Sequence, residues 1–192
     1  MHEHDQHEHD HHEHQPLDYT TWLEQQRAGK DGFFRDSHHS PIPASERATF
    51  DGLAYYPVDL ALRYEGLMLE PVDAALPAQT QVQTSDGAMR DGRRVGTFVF
   101  DVGGVEQRLT ALQLANSQGD ALFVPFKDAT NGSETYGAGR YLDIDPMPDG
   151  TYDLDFNLAY SPFCAYSPSY SCPLPPSENR LSTRITAGEQ GT

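Results

Sequence analysis

The sequence predicts a mainly β protein, either an antiparallel β-sandwich or a small barrel, preceded by one or two N-terminal helices. Up to Gly52 apolar residues recur at helical spacing, and beyond it they alternate with polar residues between frequent turn signals. Alternation over short runs is typical of half-buried strands. Several such strands in succession favour a sandwich or a small barrel. The expected strands cover residues 60–70, 78–84, 94–102, 105–114, 121–126, 139–145, 151–157 and 181–187.

The N-terminal helix is predicted over Leu17–Arg35, with Asp18 as its N-cap. Gly29 and Gly32 weaken its second half, because glycine is a poor helix former. A shorter second helix is expected at Ala44–Phe50. The apolar side chains of the first helix are Tyr19, Trp22, Leu23, Phe33 and Phe34.

Two hairpins are predicted from their turn residues. Gly103-Gly104 separates two alternating runs, and a glycine pair in that position is a strong signal for a two-residue turn. Met147–Gly150 contains Pro and Gly and predicts a second turn, which would pair residues 139–145 with residues 151–157.

The second hairpin would bring carboxylates together. Pairing its apolar sides places four aspartates on the opposite face, namely Asp143, Asp145, Asp153 and Asp155. Like charges destabilise such a face, so water, an arginine or a bound cation must relieve them. Three interpretations stay open: a solvated acidic face, a divalent-cation site, and a general acid/base pair with separated pKa values.

Three segments are expected along the chain. They are a disordered His- and acid-rich tail over residues 1–16, a helical layer over 17–52 and a β-rich core domain over 53–189, with 17–189 folding as one unit. The tail has too few apolar residues to offset the entropy of ordering. It could bind nickel, zinc or copper weakly, or be a solvated tail or an expression artefact. Its candidate metal ligands are His2, His4, His7, His9, His11, His12 and His14.

The charge of the chain excludes several partners. The formal net charge is −16, and such a surface repels nucleic-acid phosphates and anionic membranes. No apolar run has the length of a membrane span, and the N-terminus lacks the pattern of a secretory signal. A cytoplasmic location is therefore expected, in which the cysteines are reduced.

Both cysteines lie in a long loop rich in Pro, Ser and Tyr. Seven residues separate Cys164 from Cys172, more than in most paired zinc ligands. The thiols could be structural, joined in a disulfide, bound to metal, or one of them could be a catalytic nucleophile. A nucleophile would need a base, and His38 and His39 are the histidines outside the tail.

Other polar residues of the last third are candidates for a site. The run Glu134–Arg140 is glycine-rich but lacks the third glycine and the helix of a dinucleotide-binding loop. Asp155 and Glu178 are candidates for acid/base catalysis, although a carboxylate more often satisfies backbone donors or an arginine. The candidate ligand-binding residues are Asp128, Tyr136, Arg140, Asp143, Asn157 and Asn179.

Several strings of this sequence resemble the family known as domain of unknown function 1684. They are Ser40-Pro41, Phe50–Pro57, Val124–Asp128, Thr135–Asp143, Asp155–Asn157, Cys164, Cys172–Pro176 and Glu178-Asn179. The resemblance spans residues 18–189 and leaves out the tail. It implies helices before a β core within one domain. It also implies that the candidate residues from 136 to 179 share one neighbourhood, and it assigns no reaction.

Three functions are consistent with these observations. The leading hypothesis is a domain that binds a small molecule through its Tyr, Arg, Asp and Cys residues, because such residues are concentrated in the loops of the last third. The second is a hydrolase-like enzyme that uses a Cys nucleophile or an Asp/Glu pair. The third is a metal-binding protein that acts through its tail.

The ratio of charged residues predicts how stability depends on salt. The chain has 29 acidic residues, and lysine is much rarer than arginine among its 13 basic residues. Salt screens the repulsion among these acids, so we expect the melting temperature to rise from low to multimolar KCl. Calorimetry over that range measures it. A higher melting temperature at low salt would refute adaptation to high salt.

Overall fold

The computed structural model describes residues 18–115, 117 and 119–191. Its first element is helix α1, Tyr19–Asp36, which begins where Asp18 accepts a hydrogen bond from the backbone N–H of Thr21 at 3.1 Å. The predicted second helix is replaced by a 3₁₀ turn at Arg47–Thr49. Within the part of the chain described, no helix combines the length and the hydrophobicity of a membrane span. The tail histidines predicted to bind metal lie outside these residues.

In the described residues, seven strands form two antiparallel sheets, so the mainly β, antiparallel prediction is confirmed. The larger sheet has the order β2-β3-β4-β5-β6, and the smaller one pairs β1 with β7. No closed barrel exists among the described residues, and the predicted strand at 181–187 is wrong, since that segment is irregular. The strands are β1 Arg63–Leu67, β2 Gln79–Gln83, β3 Met89–Val102, β4 Val105–Leu114, β5 Leu122–Phe126, β6 Arg140–Ile144 and β7 Tyr152–Asp155.

The predicted hairpin between β3 and β4 is confirmed. Val102 is paired with Val105, and the two glycines between them have φ values of 61° at Gly103 and 86° at Gly104. Positive φ at both central positions suits the twist of a two-residue hairpin turn, and glycine adopts it without steric cost.

The second predicted hairpin is wrong. Strand β6 pairs with β5 in the larger sheet, whereas β7 pairs with β1 in the smaller one. There Tyr64 of β1 is opposite Leu154 of β7. The turn itself forms, with the N–H of Met147 bonded to the carbonyl of Thr151 at 2.8 Å. Next to the turn Pro146 forms one isolated antiparallel bridge with Tyr152. Pro146 has no N–H to donate, and β6 and β7 do not pair further. The fully buried Leu154 instead joins the core on the other side of the turn.

Both sheets contribute to one apolar core. The ring of Phe156, just after β7, lies 5.3 Å from the rings of Phe100 in β3 and Phe126 in β5. Helix α1 packs through Phe34, whose ring lies 5.0 Å from that of Tyr166. Burial of these aromatic side chains supplies a large part of the stabilisation. The core cluster contains Leu62, Phe98, Phe100, Leu109, Ala111, Leu122, Val124, Phe126, Leu142, Ile144, Leu154, Phe156, Ala159, Leu181, Ile185 and Ala187.

The chain after β7 is irregular and is held in place by individual contacts. Leu181 donates to the carbonyl of Lys127 at 2.8 Å, and Glu189 donates to that of Ala159 at 2.8 Å. Gly188 has φ +76°, and a Cβ there would lie 2.5 Å from the carbonyl oxygen of Ala159. Glycine is therefore required for this close approach, which places Glu189 beside α1.

Two glycine substitutions should change stability in opposite directions. Gly32→Ala should raise the free energy of unfolding by about 0.5–1 kcal/mol, because alanine favours the helix and its Cβ would meet no atom within 4 Å. Gly139→Ala should lower it by about 1–3 kcal/mol, since φ is +113° and the Cβ would lie 2.6 Å from the carbonyl of Phe126. Urea denaturation measures both, and two changes of the same sign would contradict this reading.

Candidate functional site

A groove of about 500 Å³ runs along α1, and we call it the α1 groove. One wall is the helix itself, and the other is the chain just after β7. The volume lies in the range of small-molecule sites. The lining residues are Leu23, Gln25, Gln26, Arg27, Gly29, Lys30, Tyr55, Asn157, Leu158, Ala159, Tyr160 and Glu189.

Helical periodicity presents the polar residues of α1 to the groove. Leu23, Arg27 and Lys30 are spaced by four and three positions, so they share one face of the helix. Tyr55 and Glu189, which both line the groove, form an antiparallel bridge. Together with α1 and the chain after β7, four separate parts of the sequence therefore meet in the groove.

Lys30 and Glu189 form an ion pair in the groove. The carboxylate of Glu189 is almost fully buried and contacts the ammonium of Lys30. It also accepts hydrogen bonds from the N–H of Ser161 at 2.8 Å and the hydroxyl of Tyr166 at 3.1 Å. The ammonium lies 4.8 Å from the centre of the Tyr160 ring. Both charges are compensated, as buried charges must be.

Arg27 is compensated less completely. Its Nη1 donates to the carbonyl of Tyr56 at 3.1 Å, and the guanidinium lies 4.5 Å from the centre of the Tyr55 ring. Within the part of the chain that the structure describes, its buried Nε and Nη2 have no hydrogen-bond partner, and neither has the hydroxyl of Tyr55. Burial raises the pKa of Tyr55 above its usual range, with further contributions from Glu189 and Asp31, so the phenol keeps its proton.

Two predicted ligand-binding residues, Arg140 and Asp128, form a fully buried ion pair at 2.6 Å. Arg140 also donates to three backbone carbonyls, those of Ile185 at 2.8 Å, Ala187 at 2.5 Å and Glu189 at 3.1 Å. These contacts attach the C-terminal segment to the end of β6. Arg140 lies inside the fold and does not itself line the α1 groove, although it bonds to the backbone of Glu189, which does.

The two predicted asparagines each bridge separate backbone segments. Asn157 accepts from the N–H of Asp59 and donates to its carbonyl, both at 2.8 Å. Asn179 accepts from the N–H of Thr110 at 2.7 Å and donates to the carbonyls of Thr110 and Pro125 at 2.8 Å. Asn157 also lines the α1 groove, so it belongs to the candidate site by position.

The predicted acidic residues have separate partners. Asp155 accepts a hydrogen bond from the hydroxyl of Tyr19 at 2.5 Å. Asp143 accepts one from the hydroxyl of Tyr160 at 2.5 Å. Glu178 accepts one from the guanidinium of Arg94 at 2.7 Å. The expected face of four aspartates does not form, because β6 and β7 lie in different sheets. Among the described residues, no three His, Cys, Asp or Glu side chains converge on a metal position.

The predicted tyrosine and the two cysteines do come together. The N–H of Cys164 donates to the sulfur of Cys172 at 3.3 Å, and the hydroxyl of Tyr136 donates to the sulfur of Cys164 at 3.7 Å. Both thiols are free. Burial, and then the contact with Cys164, raises the pKa of Cys172 to about 11. The rings of His38 and His39 lie 4.0 Å apart after α1, tilted by 44°, and neither hydrogen bonds to a thiol in the described structure.

Fold and sequence together place the chain in a class of mainly β proteins with one N-terminal helix and an irregular C-terminal segment. A family model described as protein of unknown function, DUF1684, matches residues 48–190. The chain belongs to this family, as its motifs predicted.

One similar solved structure is that of an uncharacterized protein from Haloarcula marismortui, determined by NMR in solution. It is 42% identical to this chain, covers 90% of this chain and 94% of its own, and superposes with a TM-score of 0.67. No curated protein matches the chain.

Sequence reasoning included Asn157 but missed other polar residues that line the α1 groove, including Arg27, Lys30, Tyr55 and Glu189. Arg27 and Lys30 are three positions apart on a predicted amphipathic helix, and that spacing could have paired them. Tyr55 lies within the string Phe50–Pro57 that carries the family resemblance. Nothing local to Glu189 indicates its burial, because its partners come from distant segments.

Removal of one partner from the buried ion pair should destabilise the fold strongly. Asp128→Asn leaves the guanidinium of Arg140 without its counter-charge, and we expect the free energy of unfolding to fall by about 3–5 kcal/mol. Arg108→Met is the matched control, because Arg108 pairs with Glu70 on the surface and such pairs contribute less than about 1 kcal/mol. Chemical denaturation measures the free energy of unfolding of both variants. An equally small decrease in the two would contradict the prediction and show that water replaces the carboxylate of Asp128.

Proposed function

We propose that this DUF1684 protein binds a small monocarboxylate with an apolar body in the α1 groove. The observation that carries the proposal is the guanidinium of Arg27, in which two buried nitrogens, Nε and Nη2, have no partner among the described residues. Buried donors left without a partner are rare in folded proteins, because each one costs the free energy of its desolvation. A ligand that accepts both hydrogen bonds would remove that cost.

The geometry of the free donors favours a carboxylate. Nε and Nη2 lie on one edge of the planar guanidinium, and the third donor, Nη1, is already bonded to Tyr56. An edge with two parallel N–H groups matches the two oxygens of a carboxylate. The protonated hydroxyl of Tyr55 supplies a further donor next to that edge.

The charge balance of the groove favours a monoanion. Lys30 is neutralised by Glu189, whereas Arg27 has no ion-pair partner among the described residues. The groove therefore holds one uncompensated positive charge. A dianion such as a phosphate monoester would add a second negative charge to the groove, where it would be repelled by the carboxylate of Glu189.

The apolar part of the lining favours an apolar or aromatic ligand body. Leu23 and Leu158 lie on the two walls, and the ring of Tyr160 borders the ammonium of Lys30. Burial of apolar area gives small ligands most of their affinity, while a few placed polar groups fix their orientation. A cyclic carboxylate of the size of benzoate suits both requirements.

Neither alternative function has comparable support. Asp155 and Glu178, the proposed acid/base pair, bond to different partners, Tyr19 and Arg94. The thiols contact Tyr136, which is a poor general base because its pKa is raised to about 12. Metal binding by the tail stays a prediction, since those histidines lie outside the described residues.

Titration with benzoate tests the proposal, with benzamide as the neutral isostere. In amide-resolved NMR spectra, benzoate should shift residues that line the α1 groove, while benzamide should not. Arg27→Lys keeps the charge but removes the fork, so the affinity for benzoate should fall at least about tenfold. Arg35→Lys is the control, because Arg35 is half exposed near the end of the same helix and outside the groove lining.

A second variant separates binding from folding. Tyr55→Phe removes a buried hydroxyl that has no partner, so stability should be unchanged or higher, while benzoate should bind more weakly. Equal binding of benzoate and benzamide, or equal loss in the Arg27 and Arg35 variants, would refute a carboxylate site at Arg27.

A further inference from the structure

We propose that Cys164 and Cys172 are a redox-active pair that closes to an intramolecular disulfide when Cys164 reacts with a low-molecular-weight disulfide. The cluster is independent of the α1 groove: neither cysteine lines it, and the contacts that carry the inference are those of the two sulfurs.

The two thiols are close although eight positions separate them in the chain. The N–H of Cys164 donates directly to the sulfur of Cys172 at 3.3 Å. A disulfide needs the two residues to approach closely with their Cβ atoms facing, and a backbone-to-sulfur contact brings them near that arrangement. The two sulfurs are not bonded to each other, so the pair is in the dithiol form.

One half of the pair is fixed and the other can adjust. Cys172 is anchored to the edge of the larger sheet, where its carbonyl accepts from Ser85 at 2.8 Å and its N–H donates to the hydroxyl of Ser85 at 3.1 Å. Cys164 lies in a 3₁₀ turn, Phe163–Ala165, outside any strand. Rotation of Cys164 toward Cys172 therefore breaks no sheet ladder.

The environments of the sulfurs define the order of reaction. Cys164 is partly exposed, whereas Cys172 is buried. The hydroxyl of Tyr136 donates to the sulfur of Cys164. Burial raises the pKa of Cys172, so it is the slower nucleophile. Cys164 thus attacks the external disulfide first. Cys172 then attacks the resulting mixed disulfide on Cys164.

The chemistry balances with an external disulfide as the oxidant. The thiolate of Cys164 attacks one sulfur of the external disulfide, forms a mixed disulfide and releases one external thiolate. The sulfur of Cys172 then attacks that of Cys164 and releases the second thiolate. The two cysteine protons pass to the two released thiolates. Protein and external disulfide exchange two electrons, and the protein gains one S–S bond.

The experiment treats reduced full-length protein with glutathione disulfide, alkylates the remaining thiols and maps the products by mass spectrometry. Wild type should lose two hydrogen atoms and yield a peptide linked between positions 164 and 172. Cys172→Ser should stop at the mixed disulfide on Cys164. Cys164→Ser should react at least about tenfold more slowly, because its remaining thiol is buried.

Other products would overturn the proposal. They are a wild type that stops at the mixed disulfide, modification of Cys172 before Cys164, or two thiols that stay free while unfolded protein reacts. Phenylarsine oxide, which bridges neighbouring thiols, supplies a measurement that needs no oxidation. It should bind wild type in a one-to-one complex, and comparable binding by either serine variant would show that the thiols act separately.

Discussion

The buried ion pair between Arg140 and Asp128 is the interaction on which the geometry of the C-terminal segment depends. Its guanidinium is bonded to a carboxylate from the loop after β5 and to the carbonyls of Ile185, Ala187 and Glu189. Burial of an arginine is costly unless its donors are satisfied. The segment 185–189, whose carbonyls accept the hydrogen bonds of Arg140, is therefore fixed in position. As a result the side chain of Glu189 lies against α1.

The position of Glu189 also determines which charges of the α1 groove are neutralised. Because Glu189 is fixed, Lys30 is held beside it and one cation of the helix is neutralised. Arg27, one turn earlier, meets an aromatic ring and a carbonyl in place of a carboxylate. The guanidinium of Arg27 is therefore only partly satisfied, and it lies in a groove of about 500 Å³. Arg140 is held by four acceptors, although its Nε also has no partner among the described residues, and it does not line the groove. A pocket that contains placed polar groups is a candidate ligand site.

Local signals in the sequence predicted the local structure well. The N-cap at Asp18 and the glycine turn after Val102 act within a few residues, so α1 and the β3–β4 hairpin could be recognised. The pairing of β7 could not, because the turn at Met147–Gly150 also permits a hairpin, and the outcome was decided by burial of Leu154 against a distant strand. The approach of Cys164 to Cys172 and of Glu189 to α1 likewise depends on contacts that the spacing of residues does not encode.

In this acidic protein, the proposed anion site would be subject to two opposed electrostatic effects with different ranges. The net charge of −16 repels an anion at a distance, and this repulsion is screened over about 8 Å at physiological ionic strength and about 3 Å in molar salt. The contact between a carboxylate and the buried edge of Arg27 would be made at hydrogen-bond distance, where salt screens little. Added salt should therefore weaken the opposing effect more than the binding contact. An acidic surface and a carboxylate site are compatible in one molecule, and they become more so as the ionic strength rises.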